Sequence, residues 1–569
     1  MTHIVKISLL TGLLLLAGCS LKEEPIDFME RGDFYRNDKE VLLGANGCYT
    51  ALRDPNYYLT NYTNALFAAS DMGMSTANMI EFVRGAGELT SQHTIMGNIW
   101  VSIYAAIGRT NLLINALETS DAELSGELKQ RVIGEARFLR GLHYFNLVRS
   151  WGEVPLRRGV VTDFEHEVHL PLSSRQEVFD FVIADLRAAK ELCWNRGEKR
   201  DKWVNEEGRA TKLAATTLLA QVYLHIASSA RVAATGQQDG GVSGVCDGYL
   251  PYADYYKHYY DSCRMECLRA IDEYGDDFTI ENDWSAMWDV NTQNSREIIF
   301  AVRSSGDPGY GNNLPFLYLP RDCTLGGSTG ASGGQCRIAI YFVQSRLTLP
   351  GGKTYFQIDN TDLRFDKGFL TSFRQRANTN ELIWVGANYQ YRYADAPTVG
   401  VQAAPFGGAG LFVRKWYDPA TVDQSSSRTQ LPVIRATEIY YMLGEALAEL
   451  AENPSAGYAA ISTVRTRCRP AADPPLSDIY INENYPGDTP MEQFREFILR
   501  ERVMEYATEN DRLFTLFRMG KVISMAQRLG TSGNISASER ARKWNDYYWP
   551  IPQDEIDANK FITSNAPGY

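Results

Sequence analysis

The fold is decided by the stretch at residues 128–156, LKQRVIGEARFLRGLHYFNLVRSWGEVPL. Its apolar residues return every three or four positions, which is the spacing of one face of an α-helix. That face carries Leu128, Val132, Ala136, Leu139 and Leu142. The pattern predicts a long amphipathic helix that buries this stripe against neighbouring helices.

The same helical period continues on both sides of this stretch. It runs from about residue 41 to residue 229 and returns at 434–451 and 491–519. Ser174 and Glu177 have the spacing of a capping box, in which each side chain accepts a free backbone N–H at a helix start. A second apolar stripe, upstream of the first, consists of Trp100, Ile103, Ile107, Ile114 and Leu117. We therefore expect several long helices that pack in pairs.

Paired helices of this kind predict a mostly α fold built on a tetratricopeptide-like scaffold. In such a scaffold each helical hairpin buries its apolar face against the next hairpin. No strict repeat is visible in the sequence, so irregular helical packing is the alternative.

A long insertion separates the two helical regions, at about residues 275–430. It is rich in Gly, Pro and Asn, with runs such as GDPGYGNN at 306–313 and GGSTGASGG at 326–334, between short extended pieces. Loops of this length are uncommon inside a compact protein unless they bind a ligand. We therefore expect short strands in this insertion and the ligand site among its loops.

The first eighteen residues have the features of a signal peptide. Lys6 precedes the apolar run at 7–16, and the sequence LAGC occupies 16–19. The run is too short to cross a bilayer, which takes about 20 apolar residues. LAGC resembles the lipobox of bacterial lipoproteins, which implies that Cys19 is acylated and becomes the new N-terminus. An ordinary signal peptide with a chance cysteine is the alternative.

The composition argues against several other classes of function. The net charge is -12 and no block of basic residues occurs, so nothing attracts nucleic acid or an anionic lipid surface. None of the nine cysteines forms a C-x-x-C pair, so the spacing of a zinc ribbon is missing. Cys323 and Cys336 flank the second Gly-rich run, which favours a disulfide in an oxidising compartment; two buried thiols are the alternative.

Taken in chain order, longer segments resemble the SusD/RagB family of outer-membrane lipoproteins. The densest match is EARFLRGLHYFNLVRSWGEVPL at 135–156. Further matches lie at 33–37, 100–114, 208–211, 297–300, 435–446, 501–521 and 549–559, the last reading WPIPQDEIDAN. Val503 and Met504, and the step at 507–510, depart from the family pattern. We expect the charged residues of these motifs to form buried or half-buried ion pairs, because an unpaired buried charge is costly; they are Arg137, Glu438, Glu501 and Arg512.

The resemblance implies capture of a nutrient without chemistry. Family members bind a nutrient, here most simply an oligosaccharide or another glycan, and deliver it to a SusC-like TonB-dependent transporter. The resemblance also implies a tether at 19–40, an N-terminal helical region at 41–275, and a C-terminal region at 276–569 that contains the ligand-binding insertion at 276–430. SLKEE at 20–24 resembles the tag that sends Bacteroidetes lipoproteins to the outer face of the outer membrane.

We accordingly expect a surface-exposed protein that is held at the outer membrane by its lipid alone. We expect no enzymatic activity, no metal site, and no cofactor besides the covalent lipid on Cys19; nothing in the sequence indicates bound Ca²⁺. A surface glycan hydrolase and an architectural transporter subunit without a ligand of its own are the alternatives.

Glycan binding needs aromatic faces for the apolar side of each sugar and polar groups for its hydroxyls. The main candidates lie in the insertion and are Tyr310, Asn312, Asn313, Phe316, Tyr318 and Arg321. A smaller set precedes the Trp100 stripe and consists of Asn78, Phe82 and Arg84. A third cluster has the alternate spacing of one strand face, with Trp384, Tyr389, Tyr391 and Tyr393. For each aromatic residue, packing in the core is the alternative.

Overall fold

Most of the chain folds into helices in the computed structural model. The structure describes residues 35–75, 79–85, 88–163, 167–237, 246–291, 294–307, 309–319, 323–324, 336–339, 362–370, 372–376, 382–386, 402–403, 410–421, 425–471, 473–529, 547–565 and 569. The helices of the N-terminal half are α1 Asp38–Thr50, α2 Asn61–Ala69, α3 Ile80–Arg84, α4 Thr94–Thr119, α5 Gly126–Trp151, α6 Arg175–Leu192, α7 Lys212–Thr235 and α8 Tyr256–Tyr274. Those that follow are α9 Leu314–Tyr318, α10 Leu363–Gly368, α11 Ala436–Ala451, α12 Ser455–Arg465, α13 Asp478–Asn484, α14 Pro490–Tyr506, α15 Arg512–Met519, α16 Val522–Leu529 and α17 Gln553–Ala558. The predicted mostly α fold is confirmed.

Helix α5 forms from the stretch at 128–156 and lies in the core. All five residues of its predicted apolar face are buried, as are all five of the Trp100 stripe on α4. Gly134 lets the end of α6 approach closely, because a Cβ at this position would lie 2.8 Å from the backbone nitrogen of Cys193. Gly152 ends α5 with a φ of 78°, a conformation that glycine adopts without strain.

Successive helices pack against each other as the tetratricopeptide-like prediction requires. The contacts run α4 to α5, α5 to α6, α6 to α7 and α7 to α8, and then pass from α8 to α11 and from α11 to α12. The insertion therefore lies between two helices that pack together in space. The capping box at Ser174 is confirmed, since Glu177 N donates to Ser174 Oγ at 3.3 Å and Ser174 N donates to Glu177 Oε2 at 2.9 Å.

Short strands connect the insertion to both helical regions. The strands are β1 Gly73–Ser75, β2 Val154–Pro155, β3 Leu172–Ser173, β4 Lys199–Arg200, β5 Trp203–Val204, β6 Ile298–Val302, β7 Cys323–Thr324, β8 Cys336–Ala339, β9 Phe369–Leu370, β10 Ser372–Arg376, β11 Leu382–Gly386, β12 Gln402–Ala403, β13 Gly410–Val413 and β14 Leu431–Arg435. One four-stranded sheet has the order β1-β8-β13-β9 and a second has the order β12-β11-β10-β7. Strand β1 belongs to the N-terminal region, so the first sheet ties the insertion back to it.

Strand β6 pairs antiparallel with β14 and closes the other end of the insertion. Leu431 lies opposite Val302, and the backbone N–H of Ala436, the first residue of α11, donates to the carbonyl of Glu297 at 2.8 Å. The predicted disulfide between Cys323 and Cys336 is wrong. The Sγ of the buried Cys336 is a thiol that donates to Asn64 Oδ1 at 2.7 Å, and β7 and β8 lie in different sheets.

Helix α7 is the one helix in the described ranges that is long and apolar enough to cross a membrane. Its most apolar window is 94% buried inside the protein, however, because the helix packs on α6, α8 and α15. Burial against other helices satisfies this apolar surface, so α7 is a core helix.

The predicted ion pairs of the motifs are confirmed. Arg502 on α14 donates to Glu438 on α11 at 2.8 Å, and Arg364 on α10 donates to Glu501 on α14 at 2.8 Å. Arg137 donates to Glu118 at 3.1 Å on the half-exposed side of α5. Residues 507–510, which depart from the family pattern, also take part in ion pairs, since Glu509 contacts both Lys415 and Arg435. Of these, the buried pairs Arg364–Glu501 and Lys415–Glu509 join the insertion to the C-terminal region.

Candidate ligand-binding site

An open cleft of about 440 Å³ lies at the surface where α1 ends. Its walls are the turn after α1, the middle of α4, and the loop at 303–311 of the insertion. Arg53, Asp54, Ser102, Arg109 and Tyr310 supply its polar and aromatic groups, and Ala51, Ala105 and Ala106 supply small apolar ones. Its size falls within the range of about 300–1,000 Å³ that is typical of small-ligand pockets.

Tyr310 presents its ring to solvent at the edge of this cleft. Its side chain is 63% exposed, and its backbone belongs to a tight loop in which Tyr310 N donates to the Asp307 carbonyl at 2.8 Å. Ser305 N donates back to the Tyr310 carbonyl at 3.1 Å. Gly309, with a φ of 81°, supplies the left-handed residue that this turn needs. Two backbone hydrogen bonds therefore fix the position of the residue that carries the exposed ring.

Arg53 anchors this loop to the helical body. Its Nη1 donates to the Arg303 carbonyl and to Ser304 Oγ at 3.1 Å, and its Nη2 donates to the Gly311 carbonyl at 3.0 Å. The guanidinium carbon also lies 6.0 Å from the centroid of the Tyr310 ring. Burial lowers the pKa of Arg53 from its ordinary value, yet a guanidinium stays charged in proteins. Arg53 thus fixes both ends of the loop that carries Tyr310.

The turn after α1 and helix α4 line the same cleft with hydrogen-bonding groups. Asp54 Oδ1 accepts from Asn56 N at 2.8 Å and from Ser102 Oγ at 3.2 Å. Arg109 is exposed on α4 and donates to the Gly47 carbonyl at 3.3 Å. A carboxylate, a hydroxyl and a guanidinium that line a cleft together with an exposed aromatic ring can bind the hydroxyls and the apolar face of a sugar.

Tyr310 is the predicted site residue that the structure places in the cleft. Asn313 and Phe316 are half-buried nearby in sequence, and Asn313 Nδ2 donates to Thr60 Oγ1 at 2.8 Å. Asn312 and Tyr318 are buried, so their prediction as ligand contacts is wrong. Asn312 donates to Ser304 Oγ and to the Thr429 carbonyl, and Tyr318 packs on Phe67 and Trp416.

Two residues of the second predicted cluster, Phe82 and Arg84, lie within the described part of the chain. Phe82 is fully buried and packs edge-on against His93 and Trp549, with ring centroids 5.0 and 5.3 Å apart, so its prediction as a ligand contact is wrong. Arg84 is half-buried and pairs with Glu88 at 2.8 Å. Asn78, Arg321 and Cys19 lie outside the described residues, as do Tyr389, Tyr391 and Tyr393 and the side chain of Trp384.

Sequence reasoning missed the other residues of the cleft. Ser102 and Arg109 lie on the polar face of α4, and such residues occur on almost every surface helix. The only available signal was Arg53-Asp54-Pro55-Asn56, a turn-forming run directly after α1. Within the described part of the chain, no group of three or more His, Cys, Asp or Glu side chains is placed to hold a metal ion.

Two family models together match most of the chain. The model described as SusD family matches residues 243–569, and the model described as starch-binding associating with outer membrane matches residues 36–224. SusD-like protein P2 of Formosa agariphila is 23% identical over 576 residues, covering 99% of each chain. A SusD-like protein of Bacteroides ovatus is 32% identical over 216 residues, covering 38% of this chain and 35% of its own length.

Solved structures show the same fold. A SusD homologue from Bacteroides thetaiotaomicron superposes with a TM-score of 0.74 at 19% identity, covering 95% of this chain and 98% of its own. A laminarin-binding SusD-like protein superposes with a TM-score of 0.65 at 18% identity, covering 94% of this chain and 100% of its own. The likeness at these identities concerns the fold.

Proposed function

The chain belongs to the SusD family, and from that premise we propose that it is a cell-surface lipoprotein that binds a glycan and passes it to a SusC-like TonB-dependent transporter. The single observation that carries the ligand part of the proposal is the exposed Tyr310 ring that lines one open cleft together with Asp54, Ser102 and Arg109. The name of the laminarin-binding relative supports a carbohydrate as the class of ligand.

The cleft offers what an oligosaccharide requires. The Tyr310 face can cover the C–H side of one sugar ring, which removes apolar surface from water. The Asp54 carboxylate accepts from sugar hydroxyls, and the Arg109 guanidinium donates to them. Because Arg53 holds the 303–311 loop in place before the ligand arrives, little ordering entropy is lost on binding.

The position of the cleft relative to the tether suits capture at a membrane surface. Residues 1–34 lie outside the described part, and α1 begins at Asp38, where the side chain of Asn37 caps it. The cleft lies directly after the other end of α1, a helix of 13 residues and hence about 20 Å long. In our proposal, the lipid on Cys19 precedes α1 in the chain and the ligand binds beyond the C-terminal end of this helix.

The proposal includes no chemistry on the glycan, and one panel of measurements separates it from its alternatives. The mature chain is titrated by calorimetry against laminarin, starch and other oligosaccharides, and the same mixtures are assayed for newly formed reducing ends. Saturable binding without new reducing ends supports capture. New reducing ends would support a hydrolase. A lack of measurable binding to every oligosaccharide in the panel would support an architectural subunit.

Delivery to a transporter is tested separately. Co-purification of the lipidated chain with a TonB-dependent transporter encoded in the same operon, after mild detergent extraction, is the expected result. Recovery of the chain without any outer-membrane transporter would contradict this part of the proposal.

A further inference from the structure

A second, partly open cavity of about 90 Å³ lies among α2, α5, α7, α11, α14 and α15. We call it the central chamber. Unlike the cleft at Tyr310, it is lined by many charged side chains: the arginines are Arg149, Arg435, Arg502 and Arg518, and the carboxylates are Glu438, Glu509 and Asp511. Charges in such a place need partners, because an isolated buried ion is costly.

Three of the four arginines have carboxylate partners. Arg435 donates to Glu297 at 2.9 Å and also contacts Glu505 and Glu509. Arg502 contacts Glu438 and Asp511, and Arg518 contacts Glu445 through both of its terminal nitrogens. The three carboxylates that line the chamber are therefore already bound to cations.

Arg149 is different, although it lines the same chamber. Its guanidinium lies between the rings of Phe145 and Phe514, 3.8 and 3.9 Å from their centroids. Its Nη2 donates to Asn146 Oδ1 at 2.7 Å and its Nε donates to the Phe145 carbonyl at 3.3 Å. Among the residues that the structure describes, no carboxylate lies within ion-pair distance of it. Its direct contacts are neutral groups, and the Asp511 carboxylate stabilises its charge only from beyond ion-pair distance.

Arg502 adds an unused donor to the same chamber. Its side chain is 4% exposed, and its Nη1 is buried without a hydrogen-bond acceptor among the described residues. Buried donors without a partner are rare in native proteins and point to a water or an ion in the space beside them. The chamber is several times larger than the roughly 10–15 Å³ that one water needs.

We propose that the central chamber binds one small monovalent anion, such as a halide, beside the guanidinium of Arg149 and the free Nη1 of Arg502. A single negative charge matches the one arginine of the chamber that has no carboxylate within ion-pair distance among the described residues. A small ion is required because the chamber has a volume of only about 90 Å³ and its carboxylates repel anions that extend toward them. The anion would bridge α5 of the N-terminal region and α14 of the C-terminal region, and would stabilise the folded chain by mass action.

Bromide is the probe for the test because its anomalous scattering identifies it in a crystal. Crystals of the mature chain grown with sodium bromide should show an anomalous difference peak in contact with Arg149 and Arg502. An empty chamber, or a chamber that holds only water at high bromide concentration, would overturn the proposal.

Thermal unfolding gives an independent measurement. The melting temperature of the wild type should rise with bromide more than with gluconate, an anion too large for the chamber, at equal ionic strength. Arg149→Met should remove this difference, while Arg149→Lys, which keeps the charge, should retain part of it. An equal bromide response in the wild type and in Arg149→Met would overturn the proposal, and the wild-type crystal decides the matter if Arg149→Met does not fold.

Discussion

Arg512 and Asp71 form a bidentate ion pair across 441 residues of chain. Arg512 Nε donates to Asp71 Oδ1 at 2.8 Å, and Nη2 donates to Oδ2 at 2.6 Å. Asp71 follows α2 and Arg512 begins α15, and both side chains are buried. The pair thus joins the two regions that the two family models match.

Removing one partner of this pair should destabilise the whole protein. We expect Arg512→Met to lower the free energy of unfolding by about 3–5 kcal/mol, because it leaves the Asp71 carboxylate buried without its cation. Urea unfolding measures this change. Arg264→Met is the matched control, since Arg264 pairs with Asp261 at the surface and such pairs contribute about 0–1 kcal/mol. Equal losses in the two variants would contradict the prediction.

Tyr310→Ala should reduce glycan binding without changing stability. The variant loses the exposed ring of the cleft, and we expect the affinity to fall about tenfold or more, which corresponds to about 1.4 kcal/mol. The melting temperature should not change, because the side chain is 63% exposed. Affinity electrophoresis measures retention. Tyr255→Ala is the control, because Tyr255 is 62% exposed and does not line the cleft; a loss of retention in both variants would argue against the site.

Arg53→Met should weaken glycan binding by releasing the loop that carries Tyr310. Its hydrogen bonds to Ser304 and Gly311 are lost, so amide exchange in the 303–311 loop should accelerate. Hydrogen exchange with mass spectrometry measures this effect. Arg109→Met is the comparison, because Arg109 lines the cleft without contacting the loop; it should lower affinity with unchanged exchange. Unchanged loop exchange in Arg53→Met would rule out the anchoring role.

His143 should make the protein less stable at mildly acidic pH. Burial lowers the pKa of His143 from its ordinary 6.5 to about 3, so the folded chain keeps it neutral while the unfolded chain protonates it. Its contribution to stability is therefore complete above pH 6.5 and is lost as the pH falls toward 3. The free energies of unfolding at roughly pH 7.5 and pH 5 measure the stability before this loss begins and after it has begun. His143→Gln should show a smaller decrease than the wild type; an equal decrease would contradict the prediction. Burial also lowers the pKa of His225, so His225 likewise reduces stability at acidic pH. It is present in both the wild type and His143→Gln and does not affect their comparison.

Cys19→Ser should release the protein from the membrane. Without a thiol to acylate, the chain has no lipid, and one or more acyl chains supply the anchoring free energy. Cell fractionation should move the protein from the membrane fraction to the soluble fraction, whereas Ser20→Ala should leave it at the membrane. A Cys19→Ser protein that still fractionates with the membrane would contradict the assignment of the lipid.

The sequence does not reveal which aromatic residues of the predicted site are exposed. Tyr318 and Phe82 were predicted as ligand contacts because they are aromatic residues near Asn and Arg. The short helices α9 and α3 turn them into the core, where they pack on Trp416 and Trp549. Composition cannot distinguish an aromatic residue that faces solvent from one that faces the core, because both faces of an irregular segment carry similar residues. Tyr310 is exposed because a glycine turn holds it there.

The sequence by itself determined the helical scaffold, since the period of the apolar residues in α4 and α5 and the capping box at Ser174 are local patterns. It also determined which motif residues carry buried charge. Only the tertiary structure decided their partners, such as Asp71 for Arg512 and Glu501 for Arg364, and brought Arg53 to the loop at 303–311. The physical reason is that backbone hydrogen bonding and amphipathic spacing act over a few residues, whereas ion pairs, clefts and chambers arise between residues hundreds of positions apart.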